Sequence, residues 1–246
     1  MMTTSPAWHR RISEPTVTST YPDSCYRPGE RKAGVRDLAR RSLRWRVPLR
    51  WYLISLLAQL LILLIAVTIL YGFAPLRALT QNWLLLFTAF LSAFAIMILL
   101  NNVAEEIGWT GFVFARLQDR HGPLRAALLT TVFFWPFHVP SFYVETRSWA
   151  TTALVLGIFL LPHLGSRFIT GWLYNSAGCS VLIAGLFHSM HNAIVNPTGL
   201  VAVVGLPQFE VLVIMAGIVV LAGAIVVLAT RGRLGLKRSS PPSAAT

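Results

Sequence analysis

The stretch "ALTQNWLLLFTAFLSAFAIMILLNNVAEEIGWTGF", residues 78–112, decides the fold of this 246-residue chain. Its first 23 residues carry no charge, and two adjacent carboxylates, Glu105 and Glu106, follow them. Crossing the hydrocarbon core of a bilayer takes about 20 apolar residues. The whole chain is 55% hydrophobic and only 12% charged, whereas a soluble domain carries about 25% charged residues. The pattern predicts an all-α fold, a polytopic transmembrane helical bundle of about six to eight membrane helices with the site among the central ones.

Six apolar segments have the length and composition of membrane spans. They lie at roughly 51–72, from Trp83 onward, and at 125–143, 150–173, 178–196 and 211–230. A second span that ran unbroken from Trp83 to Leu117 would be about 52 Å long, too long for one simple crossing. A break at Asn101 and Asn102, or two separate segments, are the open alternatives.

Basic residues are concentrated at the two ends of the chain. Eleven of the 21 lie in positions 10–50 and four more in 231–238. Both groups flank hydrophobic spans, which is the pattern of the positive-inside rule. We therefore expect a multi-pass protein of the cell membrane with both termini in the cytoplasm. The expected partner of the charge is the lipid bilayer, and nucleic acid is not expected to bind.

Three regions follow from composition. Residues 1–47 are rich in Ser, Thr, Pro and Arg and are predicted to be a disordered basic cytoplasmic tail. Residues 48–231 form the predicted transmembrane helical domain, and residues 232–246 a polar cytoplasmic tail. The two cysteines, Cys25 and Cys179, predict neither a disulfide framework nor a cysteine metal site.

Ionisable residues inside membrane spans are costly, so they are candidates for function. Measured from the cytoplasmic ends of their helices, Glu105, His138 and His188 lie at depths of about 18, 20 and 15 Å. Three groups from different helices thus fall at one level near the bilayer midplane. Asn192 is four residues after His188 and shares its helix face. Glu105 and Glu106 point about 100° apart on a helix, so only one of them can face a common centre directly.

An acid, two imidazoles and an amide in a dry setting suit hydrolysis. A carboxylate in a low dielectric can act as general base on a water that an imidazole helps to hold. A second imidazole and an amide can stabilise the oxyanion of a tetrahedral intermediate. Two histidines and a glutamate, here Glu105, His138 and His188, are also a known ligand set for a divalent metal such as zinc. The H-E-x-x-H helix and the G-x-S-x-G elbow are absent from the sequence.

Three motifs in these segments resemble those of one family. "EEIGWTGF" (105–112), "FWPFH" (134–138) and "HSMHN" (188–192) are similar to the E-E-x-x-x-R, F-x-x-x-H and H-x-x-x-N motifs of the CPBP family, the CAAX proteases and bacteriocin-processing enzymes. Each motif is weak alone, but three in order on separate predicted helices are a specific signal. The resemblance covers a protease-like core of residues 101–195.

The resemblance implies an all-helical intramembrane endopeptidase that acts on a peptide or membrane-protein substrate. Carried over by position, Glu105 activates the water and His138 helps to hold it. His188 and Asn192 form the oxyanion site, and Glu106 supports them. His163 and His191 are expected to be structural. Whether this family depends on a metal is disputed. The residues alone are compatible with a metal-dependent mechanism and with one that uses only the glutamate.

One position departs from the family pattern. The first motif normally ends in Arg, and this chain has Thr110 instead. Either another base such as Arg116 or Arg167 replaces it, or Glu106 stays protonated, or the site is weakened. Thr110 therefore motivates a second hypothesis, an inactive member that acts as a bacteriocin-immunity or binding factor. A third hypothesis is a transporter that uses the buried acids and histidines as a proton relay.

Overall fold

The computed structural model describes residues 25, 31–73, 80–81, 83–85, 88, 90–98, 103–195, 199–203 and 205–236. These residues form helices and contain no β-strand, which confirms the predicted all-α class. In chain order the helices are α1 (Arg31–Ser42), α2 (Leu49–Tyr71), α3 (Trp83–Leu85), α4 (Leu91–Ile96), α5 (Val103–Glu106), α6 (Ala115–His121), α7 (Pro123–Phe134), α8 (Val139–Thr146), α9 (Trp149–Ser176), α10 (Val181–Val195), α11 (Leu200–Val203) and α12 (Gln208–Ala229).

Within the part of the chain that the structure describes, four helical segments are long and apolar enough to cross a membrane. They are Leu49–Tyr71, Pro123–Thr146, Trp149–Ser176 and Gln208–Ala229. They coincide with four of the six predicted spans, and the chain is an integral membrane protein. The predicted span at 178–196 is α10, whose 15 residues extend only about 22 Å. The second predicted span is described only in pieces, and its possible break at Asn101 and Asn102 lies outside the described residues.

The bundle is built around the short helix α10. Ten of its 15 side chains are buried, because α2, α5 and α9 pack against it. The outer helix α12 is different, since only four of its 22 residues are buried. An apolar helix with most of its surface facing outward is suited to lipid contact. The centre of the bundle therefore belongs to the helix that carries the third motif.

Small residues bring α9 and α12 together. A Cβ atom added to Gly223 would lie 2.7 Å from the Cα of Gly165, closer than packed atoms can approach. Close backbone contact at small residues is a usual way for membrane helices to pack. This contact fixes α9 against the outer helix, and α9 in turn also packs against α7 and α10.

The first motif lies in an unusual helix. Residues Ile107–Phe114 are π-helical and join α5 to α6 without a break; we call them the π segment. A 3-10 turn, Trp135–His138, joins α7 to α8 in a similar way and carries the second motif. Pro136 within that turn removes a backbone donor and favours the local departure from α-helix. Irregular helical turns of this kind often occur at functional sites.

The N-terminal region departs from two predictions. Residues Arg31–Ser42, predicted to be disordered, form α1, which packs against the π segment and α10. The prediction of disorder for residues 1–47 is therefore wrong for this helix. Cys25 forms a disulfide with Cys179 at the start of α10, so the expectation of no disulfide is also wrong. Two cysteines 154 residues apart give no signal of pairing in sequence, because pairing depends on the tertiary fold.

The beginning of the predicted C-terminal tail is also packed. Leu234 is fully buried, and its carbonyl accepts a hydrogen bond of 2.9 Å from Nδ2 of Asn175. The two amide groups of Asn175 and Gln118 bond to each other at 3.0 and 2.8 Å. We call these three groups the amide cluster. The prediction of a polar tail from residue 232 is therefore wrong for residues 232–236, which return to the bundle.

Candidate active site

Glu106 is the centre of a buried polar group. Its side chain is 1% exposed, and each of its carboxylate oxygens has protein donors. Oε2 accepts from Nη1 of Arg167 at 3.1 Å and from the hydroxyl of Thr110, and Oε1 accepts from Nη2 of Arg167 at 3.4 Å. Nδ1 of His188 lies 2.9 Å from Oε1. We call these four residues the acid cluster.

Arg167 supplies the guanidinium that the first motif lacks. It comes from α9, 61 residues away from Glu106 in sequence, and its Nη1 also donates to Oγ1 of Thr110 at 3.2 Å. Of the alternatives left open for Thr110, replacement by another base is the one that the structure shows, and the base is Arg167. A buried carboxylate needs a paired charge and hydrogen bonds to remain ionised. Arg167 and Thr110 together provide both.

Glu105 faces a different environment from its neighbour. It is half-buried, and it makes no side-chain hydrogen bond to any residue that the structure describes. His188, Glu106 and Arg167 are close enough to influence its charge. The helix therefore separates the two acids as expected from their 100° offset. Protein donors occupy both carboxylate oxygens of Glu106, whereas those of Glu105 have no hydrogen-bond partner among the described residues.

The second motif places His138 beside an aromatic ring. Nδ1 of His138 lies 3.3 Å from the carbonyl oxygen of Phe134, one turn earlier. The imidazole meets the Phe134 ring edge-on, with ring centroids 4.7 Å apart. Because the carbonyl accepts only, Nδ1 is the donor and Nε2 is the nitrogen left for another partner.

The Phe134 ring joins the three histidine-bearing helices. Its centroid lies 4.8 Å from the ring of His163, 6.5 Å from the ring of His188 and 4.7 Å from the guanidinium carbon of Arg167. The ring is completely buried. A cation above an aromatic face is stabilised by the ring quadrupole. Phe134 therefore packs between His138 and the acid cluster.

The two histidines of the third motif contact different residues. His188 contacts Glu106 directly, and its side chain remains 16% exposed. Nδ1 of His191 lies 3.4 Å from Oε1 of Gln59 on α2, an interhelical contact of the kind expected for a structural histidine. Asn192 is half-buried, one turn after His188 on α10. Its role at the oxyanion stays a prediction.

The metal set of Glu105, His138 and His188 stays a prediction. Among the described residues, no group of three or more His, Cys, Asp or Glu side chains has the geometry to hold an ion. Nδ1 of His188 is directed at Glu106 and Nδ1 of His138 at a backbone carbonyl, an arrangement that metal-bound histidines also use. We derive no step through a metal.

The contacts through which α9 holds the acid cluster in place were not predicted from the sequence. Arg167 is one of two candidate replacements in the sequence, and His163, expected to be structural, packs against the rings of Phe134 and Trp135, the latter at 4.6 Å. The available signal was spacing, because His163 and Arg167 are four residues apart and share a face of α9. A pair of that kind facing the second motif points to a common cluster.

Comparison with known proteins agrees with the motifs. Residues 87–194 match the model of a family described as "Type II CAAX prenyl endopeptidase Rce1-like", and this range includes all three motifs. One curated relative, CAAX prenyl protease 2 of Methanococcus maripaludis, is 28% identical over 100 residues. That similarity covers 39% of this chain and 37% of the relative, so the chain spans well under half of the relative's length. The resemblance to the CAAX protease family that the three motifs predicted is therefore confirmed.

Proposed function

We propose that this protein is an intramembrane endopeptidase in which Glu105 activates the attacking water. The observation that carries the proposal is the contrast between two adjacent acids. Glu106 is fully occupied by Arg167, Thr110 and His188, whereas Glu105 beside it has no described hydrogen-bond partner. A general base must have a free oxygen within reach of the proton that it removes. Glu105 meets that requirement and Glu106 does not.

The acid cluster orients His188 for the reaction. Because a carboxylate paired with a guanidinium only accepts hydrogen bonds, Nδ1 of His188 donates to Glu106. Nε2 is then the nitrogen that can face a substrate. With both ring nitrogens protonated, His188 would donate from Nε2 to the oxyanion of the tetrahedral intermediate, together with the amide of Asn192. Preorganised donors of this kind stabilise charge that develops only in the transition state.

The proposed reaction uses the residues in a fixed order. Glu105 takes a proton from a water that Nε2 of His138 helps to hold, and the resulting hydroxide attacks the scissile carbonyl. The oxyanion forms against His188 and Asn192. Collapse of the intermediate breaks the C–N bond, and the proton on Glu105 passes to the leaving amine. Water and peptide are the only reactants.

The names of the matched family and relative suggest which substrate to test first. Both printed names refer to prenylated CAAX proteins, and we propose a prenylated C-terminal peptide as the first candidate substrate. A prenyl chain adds about 0.8 kcal/mol of membrane affinity per buried CH2. Such a peptide would therefore concentrate in the bilayer that surrounds this bundle.

The proposal is tested with the purified full chain in lipid bilayers. A prenylated CAAX peptide and its unprenylated counterpart are incubated with it, and products are identified by mass spectrometry. We expect cleavage by the wild type and a loss of about 100-fold or more in kcat for His188→Ala and His138→Ala. His121→Ala, an exposed histidine at the end of α6, is the matched control and should cleave normally.

Three outcomes would contradict the proposal. Cleavage that survives in both His188→Ala and His138→Ala removes the histidines from the reaction. Immunity or binding that persists in the same variants, without cleavage by the wild type, favours the non-catalytic hypothesis. Proton-dependent uptake into vesicles without peptide favours the transporter. A chelator arm separates the mechanisms, because the reaction proposed here should withstand prolonged dialysis against a chelator.

A further inference from the structure

Arg41 is a buried arginine outside the three motifs. It lies near the end of α1 and is only 4% exposed, although α1 precedes the first membrane span. Its Nε and Nη2 bind Oδ2 of Asp37 at 3.0 and 2.8 Å. Its Nη1 donates to the carbonyl oxygen of Gly111 and to the hydroxyl of Tyr174, each at 2.7 Å. Every nitrogen of the guanidinium therefore has a partner.

The carbonyl that Arg41 binds belongs to the π segment. Gly111 directly follows Thr110, which donates to Glu106. α1 can approach this point because Gly111 has no side chain, and a Cβ added there would lie 2.9 Å from Cδ1 of Leu38. Hydrogen bonds to a charged donor are about twice as strong as neutral ones. Arg41 thus fixes the π segment one residue away from the acid cluster.

The same N-terminal region also holds the helix that carries His188. The hydroxyl of Ser180 donates to the carbonyl oxygen of Arg44 at 2.7 Å. Cys179 beside it is joined to Cys25. Both contacts lie at the start of α10, so Cys25 and Arg44 are attached to α10, while Arg41 between them in sequence is attached to the π segment. The Glu106–His188 contact joins α10 to the last residue of α5, directly before the π segment.

We propose that Arg41 is a positioning residue of the active site, which holds the π segment so that Thr110 and Glu106 aim His188 at the substrate. This inference rests on the proposed endopeptidase function. A displacement of about 1 Å in a site of this kind can lower the rate by about 100-fold. Arg41 touches no reacting atom and acts through the Gly111 carbonyl and the Tyr174 hydroxyl that its Nη1 binds.

The test compares two neighbouring arginines of α1. Arg41→Gln removes the buried guanidinium, and Arg40→Gln removes the same charge from an exposed position that makes no described contact. We expect kcat to fall by about 10- to 100-fold in Arg41→Gln with KM changed less than about two-fold, because substrate contacts are intact. Arg40→Gln should keep wild-type kinetics. Equal kcat values in the two variants would overturn the proposal.

A double-mutant cycle separates positioning from general stability. If Arg41 acts through Thr110, then combining Arg41→Gln with Thr110→Val should lower kcat little more than either change alone. Fully additive losses would show that Arg41 acts elsewhere and would contradict the proposal. Should Arg41→Gln not fold, Tyr174→Phe removes one of the two Nη1 partners while keeping the ring, and a smaller loss of kcat is expected.

Hydrogen exchange gives a readout that does not depend on peptidase activity. Amides of residues 107–114 should exchange at least about 10-fold faster in Arg41→Gln than in Arg40→Gln, because the π segment loses its external contact. Equal exchange rates would overturn the positioning role even if cleavage is observed. Faster exchange in a protein whose wild type cleaves no peptide would leave Arg41 holding the π segment and would refute the proposed function instead.

Discussion

Two buried polar clusters lie along the same pair of helical elements. In the acid cluster, Thr110 meets Arg167, and in the amide cluster, Gln118 meets Asn175. Each partner of the second contact is eight residues after the corresponding partner of the first, which is about two helical turns, or 12 Å, along the bundle. The two contacts therefore repeat one packing arrangement with different side chains.

The acid cluster and the amide cluster differ in charge and in the exposure of their side chains. The amide cluster is neutral, and both of its side chains are buried and bonded to each other. The acid cluster contains a carboxylate and a guanidinium and ends on His188, which is still partly exposed. Satisfied neutral networks mainly fix a fold. A charged cluster with one partly exposed residue can also interact with a substrate. For this reason the acid cluster is assigned to the reaction and the amide cluster to the fold.

Among the variants that compare the two clusters, the largest effect on activity is expected for Arg167→Leu. The change leaves the Glu106 carboxylate buried without its counter-charge, a loss of about 3 to 5 kcal/mol in unfolding free energy for a buried pair. We expect kcat to fall by at least about 100-fold, as measured in bilayers with the cleavage assay.

Moving the guanidinium back to the family's position sharpens this prediction. In the double variant Arg167→Leu with Thr110→Arg, the charge returns to the motif position, four residues from Glu106 on the same helix face. Part of the lost kcat should return. A double variant no better than Arg167→Leu alone would show that the site depends on the α9 position of the arginine, contrary to the replacement inferred here.

A smaller effect is expected for Thr110→Val. The substitution keeps the shape of the side chain and removes one hydrogen bond to Glu106. A hydrogen bond to a charged group is worth about 1.5 to 3 kcal/mol, so kcat should fall by about 10-fold. Thr110→Ser keeps the hydroxyl and is the control. Equal kcat values for the Val and Ser variants would show that the hydroxyl is not used.

The smallest effect on activity is expected for Asn175→Ala in the amide cluster. The change leaves the amide of Gln118 and the Leu234 carbonyl buried without a partner, which costs about 1 to 3 kcal/mol each in unfolding free energy. Thermal melting should show the loss, while kcat below the melting temperature stays close to wild type. A fall in kcat as large as that of Arg167→Leu would remove the distinction between the two clusters.

Local sequence patterns predicted the parts of the fold that lipid imposes. Apolar runs between charges correctly located four spans, because a bilayer requires that length whatever the helix packs against. The spacing of four residues between Phe134 and His138 lets the two rings meet, since neighbours on one helix face can pack together. These features depend on contacts within one helix or between one helix and its solvent.

Features that join distant helices were not accessible in the same way. The pairing of Arg167 with Glu106 spans 61 residues, and the disulfide of Cys25 spans 154. Contacts between residues so far apart leave no periodic pattern in the sequence from which they could be predicted. Residues 1–47 are predicted to be disordered because they are rich in Ser, Thr, Pro and Arg, whereas the burial of Arg41 in α1 depends on its hydrogen bonds to Gly111 and Tyr174 of distant helices. Tertiary contacts therefore decided these elements against local composition.

Glu105 is assigned to activating the water and Glu106 to holding the acid cluster together. A comparison of Glu105→Gln with Glu106→Gln tests this assignment most directly. Single-turnover cleavage and thermal melting are measured for both variants in the same bilayers. The account predicts that Glu105→Gln melts like wild type and loses cleavage by about 100- to 10,000-fold, whereas Glu106→Gln loses both stability and cleavage. Normal cleavage by Glu105→Gln, or an unchanged melting temperature for Glu106→Gln, would contradict it.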